Sequence, residues 1–399
     1  MNEIFITGAG VVSAIGVGQA ETVASLLNGR TGIGAMKYLA SSHRDIPVGE
    51  VKLSNAEMMQ LLGIADDIHL TRSALLGRLA LREALQSAQI VGEDSKFYNV
   101  HFVSSTTVGG MDRREVFHAE ESNCDFTHAL IATHNCADCT EMIAEPFGPF
   151  ASMATISTAC SSATNAIITG ANMLRCGMAD IVVAGGTECL SLFHLNGFNS
   201  LMILDSEQCK PFDRDRAGLN LGEGAAYVVL ERANSARQRG IMPLCKLSGY
   251  GNACDAFHQT ASSPNGEGAF LAMKKALTMA GMKPSDIQYI NAHGTGTPNN
   301  DESESCAIRR VFGDKVPPVS STKSFTGHTT SASGSIEAVF CILALQHQFL
   351  PVNINWHIPM DNGIVPVTDS HPKEPIRNIM SNAFGFGGND SSIILSTNE

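Results

Sequence analysis

Strand-like and helix-like segments alternate from one end of this 399-residue chain to the other, and that alternation limits the fold more than any other feature. Apolar runs at 3–16 (EIFITGAGVVSAIG), 99–110 (NVHFVSSTTVGG), 180–188 (DIVVAGGTE) and 222–231 (GEGAAYVVLE) read as strands. Between them, the segment from about 68 to 88 carries Leu75, Leu79 and Leu85 among small residues, the buried stripe of a helix, and ANSARQRG forms a helix that stops at Gly240. The second half repeats the idiom with a helix over 265–283, the strand DIQYINAHGTGT, an apolar helix over 333–348 and two closing strands around a glycine-rich turn. Alternation of this kind predicts an α/β layered fold. The length predicts two domains, or two halves packed as one unit, with a seam at 240–250. No internal repeat of residues is visible.

Composition narrows the function classes. A net charge of −12, from 27 Lys and Arg against 39 Asp and Glu, disfavours nucleic-acid binding, which needs a basic face. No run of 18 uninterrupted apolar residues predicts membrane insertion, and Glu3 stands where a signal peptide carries basic residues, so a cytoplasmic protein is expected. Eleven cysteines without a short-range framework are expected to be reduced thiols. The N-terminal strand imitates a dinucleotide-binding fingerprint, but Gly8-x-Gly10 is followed by Ser13 where the third glycine belongs. A tight N-terminal turn is the expected use of those glycines.

Four polar clusters fall at strand ends or helix starts, where the loops of an α/β fold build a site. The stretch ATISTACSSATNAI (154–167) places Cys160 on a strand-to-helix turn, where free backbone N–H groups and the helix dipole favour a thiolate. NAHGTGTPNND (291–301) pins His293 ahead of a glycine loop, STKSFTGH (321–328) supplies Lys323 and His328, and NAFGFGGND (382–390) is the fourth. Glu337, nine residues beyond His328, completes an acid, a base and a fixed cation. A thiol protease needs one histidine beside its cysteine. Two histidines point instead to an acyl thioester on Cys160 and N–H donors for a second developing oxyanion, the requirement of carbon–carbon bond formation between thioesters.

These four motifs, TACSS, NAHGTGTP, STKSFTGH and NAFGFGGN, resemble the beta-ketoacyl-acyl carrier protein synthase family of the type I/II elongating, Cys-His-His class, and the similarity runs from FITGAGVVSAIG to the final strand. The resemblance implies an α/β thiolase-like fold of two similar halves, 1–240 with the cysteine and 241–399 with both histidines, each a five-stranded mixed sheet in an αβαβα arrangement. It implies decarboxylating condensation of an acyl group on Cys160 with malonyl-acyl carrier protein. His293 and His328 would share the decarboxylation, Lys323 and Glu337 would orient them, and backbone N–H groups of Cys160 and Phe386 would form the oxyanion hole. Thr295 and Thr297 would bind the pantetheine amides, Phe386 would act as a mobile gate, and Val108 and Phe198 would line the acyl channel.

No cofactor is implied, since phosphopantetheine arrives on the carrier protein. The implied partners are acyl carrier protein and a second subunit, in a homodimer or in a heterodimer with a relative that sets chain length; a non-catalytic subunit of that kind usually lacks the cysteine retained here as Cys160. An acidic carrier would need a basic patch, for which Arg72, Lys210, Arg214 and Arg216 are the candidates, while Met202 stands where elongating relatives often carry arginine. The last motif, usually GFGGTN, is here GFGGND, which brings Asn389 and Asp390 to the gate loop. With TACSS and NGFNSLMIL (196–204), that departure resembles synthases of aryl polyene or related polyketide clusters more than housekeeping fatty-acid enzymes. HNCADC (134–139), with Cys124 nearby, is read as packing thiols and not as a metal site.

Overall fold

The computed structural model describes residues 3–65, 69–90, 98–113, 115 and 133–398. In chain order its strands are β1 (Ile4–Ser13), β2 (Gly16–Val17), β3 (Val100–Ser105), β4 (Ser152–Ile156), β5 (Ile181–Glu188), β6 (Gly224–Arg232), β7 (Cys245–Cys254), β8 (Tyr289–Asn291), β9 (Val319–Ser320), β10 (Asn378–Gly385) and β11 (Asn389–Ser396). The helices are α1 (Gln19–Leu27), α2 (Asn55–Leu62), α3 (Arg72–Ser87), α4 (Cys136–Ala144), α5 (Ser162–Arg175), α6 (Leu192–Ser200), α7 (Ala233–Arg239), α8 (Glu267–Ala280), α9 (Pro298–Phe312), α10 (Lys323–Thr326) and α11 (Ser333–His347).

The strand path runs β4-β3-β5-β6-β1-β7-β11-β10-β8-β9, with β2 paired to β1. Its two five-strand sets match position for position. In each, the two strands nearest the join are antiparallel (β1 with β6, β7 with β11), the next pair is antiparallel (β6 with β5, β11 with β10), and the outer two pairs are parallel. The sets join where β1 pairs with β7, through Phe5 with Lys246 and Ile6 with Cys245.

Side-chain alternation makes the layers. On β5, Val182 and Ala184 face one cluster while Ile181 and Val183 face another; on β6, Ala226, Val228 and Leu230 face the first and Ala225, Tyr227 and Val229 the second. In the other half Ile379, Ile393 and Leu395 join that same first cluster, and Met380 and Ile394 turn to a third. The shared cluster is the middle of the molecule and contains the apolar faces of α5 and α11; the outer ones are built on α2, α3 and α4 on one side and on α8 and α9 on the other. The result is an αβαβα, thiolase-like arrangement. α11 is buried over its whole circumference from Ser333 to Leu345, as a helix in a central layer must be.

The glycines that imitate a nucleotide fingerprint are not in a turn. Gly8 and Gly10 lie inside β1, where an added Cβ would come 2.4 Å from the Ala84 carbonyl and 2.1 Å from that of Ala80. They let α3 lie directly on the strand. Gly249 and Gly251 do the same on β7, at 2.3 Å from the Ala276 and Ala272 carbonyls of α8. The two halves therefore share a packing device even though their sequences show no visible repeat.

Candidate active site

Cys160 follows β4 and precedes α5. Ala159 turns the chain at φ 52°, a left-handed conformation that a residue with a side chain adopts at a cost of about 1 kcal/mol or more. That reversal, closed by the Ser162 N–H bonding the Ala159 carbonyl at 3.2 Å, holds the thiol at the start of the helix. The backbone N–H of Cys160 itself and that of Phe386, from the turn between β10 and β11, are directed at the sulfur.

His328 comes from the other half, after α10. Its backbone N–H bonds the Asn220 carbonyl at 2.7 Å and its carbonyl accepts from Gly222 N–H at 3.0 Å, which locks the segment to the loop before β6. Its Nε2 lies 3.0 Å from the Cys160 sulfur, and its Nδ1 lies 2.9 Å from the Ser333 hydroxyl at the start of α11. His293, at the end of β8, sets its ring edge-on to His328 with centroids 5.3 Å apart. Among the described residues these three side chains form a cluster in which one ligand-type atom from each lies within 4.8 Å of the others.

Behind the histidines Lys323 Nζ meets Glu337 Oε1 at 2.5 Å, with both side chains almost wholly buried. A buried pair of this kind offsets the desolvation of each charge with the other. Burial and the Lys323 ammonium hold both His293 and His328 well below the ordinary histidine range, so the rings are neutral. The sequence expectation of a thiolate is overturned: burial outweighs the Lys323 charge and the backbone N–H groups and pushes the Cys160 thiol up to about 11. A protonated thiol beside a neutral imidazole is the resting state.

Two acids of α9, Asp301 and Glu304, hold the loop after His293. Glu304 on α9 accepts the backbone N–H of His293 at 2.9 Å and of Gly294 at 2.7 Å, and Asp301, one turn earlier, accepts those of Phe212 at 2.8 Å and Gly296 at 3.2 Å. Burial pushes Glu304 up to about 7. The available signal was their spacing: two acids three apart on a helix that begins where the HGTGT loop ends share one face.

The trio sits in a cavity of about 330 Å³ lined by Phe198, Leu201, Ile203, Thr295, Thr297, Pro298, Phe384 and Phe386, among others. Thr295 and Thr297 point their hydroxyls at each other, 2.8 Å apart. Phe386 stacks on Phe198 at 5.8 Å between centroids and closes one side. Gly387 and Gly388, at φ 82° and 77°, give the turn between β10 and β11 a backbone that residues with side chains resist. Asn389 ties this turn to the cysteine loop: its Oδ1 accepts from Ser161 Oγ, Asn165 Nδ2 and Asn252 Nδ2 at 2.9, 2.7 and 2.8 Å. Asp390 is buried beside Asp255 and Glu304, and desolvation with those like charges pushes it up to about 8.

Several other expectations change. Val108 is buried in the outer core and does not line this cavity; its N–H bonds Glu188. Arg72 is no docking cation, because its guanidinium is buried against Glu223 at 2.5 Å and also bonds Asn55 and the Val51 carbonyl. Arg216 is likewise buried, 2.9 Å from Glu302 and 3.7 Å from Asp301. Lys210, paired with Glu207 at 2.7 Å, and Arg214, paired with Asp215 at 3.0 Å, keep 26% and 56% of their side chains exposed and stand as surface cations. Cys136 and Cys139 share one face of α4 with thiols pushed up by burial; Cys124 lies outside the described residues. No helix among the described residues is long and apolar enough to cross a membrane.

Comparison with known proteins agrees with this architecture. Residues 1–236 match the family model for the beta-ketoacyl synthase N-terminal domain and residues 244–357 that for its C-terminal domain. Nodulation protein E of Rhizobium meliloti (strain 1021) is 31% identical, with 97% of each chain covered. 3-oxoacyl-[acyl-carrier-protein] synthase 2 of Staphylococcus aureus (strain N315) is 31% identical over 98% of this chain and 97% of that one. Among solved structures, the ishigamide ketosynthase/chain length factor superposes with a TM-score of 0.93 at 30% identity over 100% of both chains. The ketosynthase ApeO in complex with its chain length factor ApeC, from Xenorhabdus doucetiae, superposes at 0.86 with 30% identity over 99% of this chain and 98% of that one. The chain belongs to the beta-ketoacyl synthase family.

Proposed function

We propose that this chain is an active decarboxylating condensing enzyme that joins an acyl group held on Cys160 to malonyl-acyl carrier protein and releases a beta-ketoacyl-carrier protein. The observation that carries the reading is the 3.0 Å contact between Cys160 Sγ and His328 Nε2 with the His293 ring beside it.

In the first stage the Cys160 proton passes to His328 as sulfur attacks the acyl thioester, so the high thiol pKa is no obstacle at the moment of reaction. The tetrahedral oxyanion is held by the backbone N–H groups of Cys160 and Phe386. It collapses, the carrier thiol leaves with the proton, and the acyl group stays on Cys160. In the second stage the malonyl thioester oxygen lies against the two imidazoles and accepts the N–H of the neutral His293 as carbon dioxide departs and the enolate forms, with His328, neutral again, beside it. The enolate carbon attacks the acyl carbonyl, the new carbon–carbon bond forms, and the Cys160 thiolate leaves and is reprotonated. Neutral rings suit that role: burial, with the Lys323 charge added to it, holds both well below the ordinary histidine range, so each ring carries one N–H.

The phosphopantetheine arm enters past Thr295 and Thr297, whose hydroxyls meet its amides, and the acyl chain passes Phe198. A specialised polyketide pathway, aryl polyene or a relative, is favoured over housekeeping fatty-acid synthesis by the TACSS, NGFNSLMIL and GFGGND departures and by the likeness to ketosynthases that work with chain length factors. The enzyme works as a dimer, with itself or with a related subunit; β4, at the edge of the sheet, exposes Ser152, Met153 and Ala154 to such a partner. Carbon dioxide release and ketoacyl product from malonyl-carrier protein and a panel of acyl donors test the reaction, and Cys160→Ala must abolish the product. A purified enzyme that extends saturated medium chains and refuses aryl or polyene starters removes the pathway assignment.

A further inference from the structure

A buried hydrogen-bonded chain behind the cavity has no part in the chemistry described above. Glu188, the last residue of β5, is fully buried and collects donors from two other segments. The turn after β3 gives it the Thr106 hydroxyl at 2.6 Å, the backbone N–H groups of Thr107 and Val108 at 3.0 and 3.2 Å, and the Thr107 hydroxyl. The Thr330 hydroxyl, two residues past His328, adds a further bond at 3.2 Å. A carboxyl held by this many donors is a fixed point in the structure.

His194 meets that point. It stands in the first turn of α6, where its backbone N–H bonds the Ser191 hydroxyl at 3.1 Å, and its buried ring places Nε2 3.4 Å from Thr107 Oγ1. The Thr107 hydroxyl gives its one proton to Glu188, so towards the histidine it can only accept, and the imidazole proton sits on Nε2. Burial outweighs the pull of the Glu188 charge and holds His194 below the ordinary histidine range, which leaves the ring neutral with a single N–H.

The ring so oriented faces the active site through aromatic contacts. His194 and Phe198 are four residues apart on α6, hence neighbours across one turn, and their rings meet edge-on at 86° with centroids 6.1 Å apart. Phe198 in turn stacks on Phe386 at 5.8 Å and 19°. Both phenylalanines line the cavity that holds Cys160, whereas His194 stands behind them.

We propose that His194, anchored on Glu188 through Thr107, is a positioning residue that fixes the angle of Phe198 and thereby holds Phe386 shut until an acyl group on Cys160 displaces the stack. The inference rests on the condensing reading above, because a latch of this kind matters only where two substrates must enter in order. While the stack stands, a malonyl group is kept from the two imidazoles. If it slackens, malonyl-carrier protein enters before Cys160 is loaded. Its carboxylate carbon–carbon bond then breaks, carbon dioxide leaves, and the enolate, with no acyl thioester to attack, takes a proton from water and departs as acetyl-carrier protein.

The test supplies the full-length enzyme with an acyl donor and malonyl-acyl carrier protein and reads, by mass, the ratio of acetyl-carrier protein to ketoacyl-carrier protein. His194→Ala is expected to raise that ratio about fivefold, the shift that losing one aromatic pair gives a two-state gate. Thr107→Val keeps the side-chain shape but removes the acceptor, and is expected to raise it about threefold. His194→Phe keeps the ring edge and needs no acceptor, so its ratio stays within about twofold of the wild type, and adding Thr107→Val to it changes nothing further. A role for His194 in stability alone would lower Tm and total turnover and leave the ratio where it was. An unchanged ratio in His194→Ala, or a Thr107→Val effect just as large beside His194→Phe, overturns the positioning role. A wild-type enzyme that forms no acyl-Cys160 and releases no carbon dioxide overturns the condensing reading, and the positioning role with it.

Discussion

Cys160 and His328, on opposite halves of the fold, meet with Sγ and Nε2 3.0 Å apart, and neither is charged at rest. A preformed thiolate–imidazolium pair would react with alkylating agents at a rate that levels off near neutrality. Here the thiol is pushed up to about 11, so thiolate must be generated as pH rises. The iodoacetamide reaction rate at Cys160 is expected to climb about tenfold per pH unit from neutrality towards about pH 10. A plateau near pH 7 contradicts the neutral-pair assignment.

The buried neutral histidines tie stability to pH. Their folded-state pKa values lie below the ordinary histidine value, so their contribution to stability is present above about pH 6.5 and is lost as pH falls below it. His293→Asn removes one such group without adding a charge. Its Tm is expected to fall less than that of the wild type between about pH 7 and about pH 5; parallel falls in the two proteins would remove the linkage.

Lys323 and Glu337 stabilise each other in a place where neither could stand alone. Lys323→Met leaves an uncompensated buried carboxylate and is expected to cost about 3–5 kcal/mol in chemical denaturation, whereas Lys323→Met with Glu337→Leu restores much of that loss. The double variant is expected to stay impaired in turnover, because the histidines lose the cation that adds to burial in lowering their pKa. Recovery of turnover in the double variant contradicts the role assigned to Lys323.

Asp390, where the family motif usually has asparagine, carries a buried carboxyl raised by desolvation, Asp255 and Glu304 to about 8. A raised acid destabilises the fold increasingly as pH rises from its unfolded value towards its folded one. Asp390→Asn is therefore expected to be more stable than the wild type, by on the order of 1–3 kcal/mol at neutral pH, with the gain growing from about pH 4 to about pH 8 and constant above. Equal stability across that range would show that Asp390 is solvated.

Much of this was legible in the sequence. The strand–helix alternation gives the layered class, and the four motifs give the residues that the fold brings together. The motifs are local because each is a strand end or a helix start, and a turn needs particular residues at fixed offsets. What was not legible depends on burial. The same Arg72 reads as a surface cation in sequence and proves to be bound to Glu223, 151 positions away. Cys160 reads as an activated thiolate from its helix-start position, but the desolvation that raises its pKa comes from walls contributed by both halves. Gly8 and Gly10 read as a turn because their reason, the backbone of α3 at Ala84 and Ala80, is 76 and 70 residues distant. Asn389 reads in sequence as a departure from the motif, and in the fold its oxygen collects three donors from two elements and a loop.

The measurement that tests the central claim most directly is intact-mass spectrometry of the enzyme after incubation with acyl donors, then with malonyl-acyl carrier protein. The account predicts one acyl adduct that maps to Cys160, is absent from Cys160→Ala, and is discharged by malonyl-carrier protein with release of carbon dioxide. An adduct elsewhere, or an acyl-Cys160 that survives malonyl-carrier protein unchanged, contradicts it.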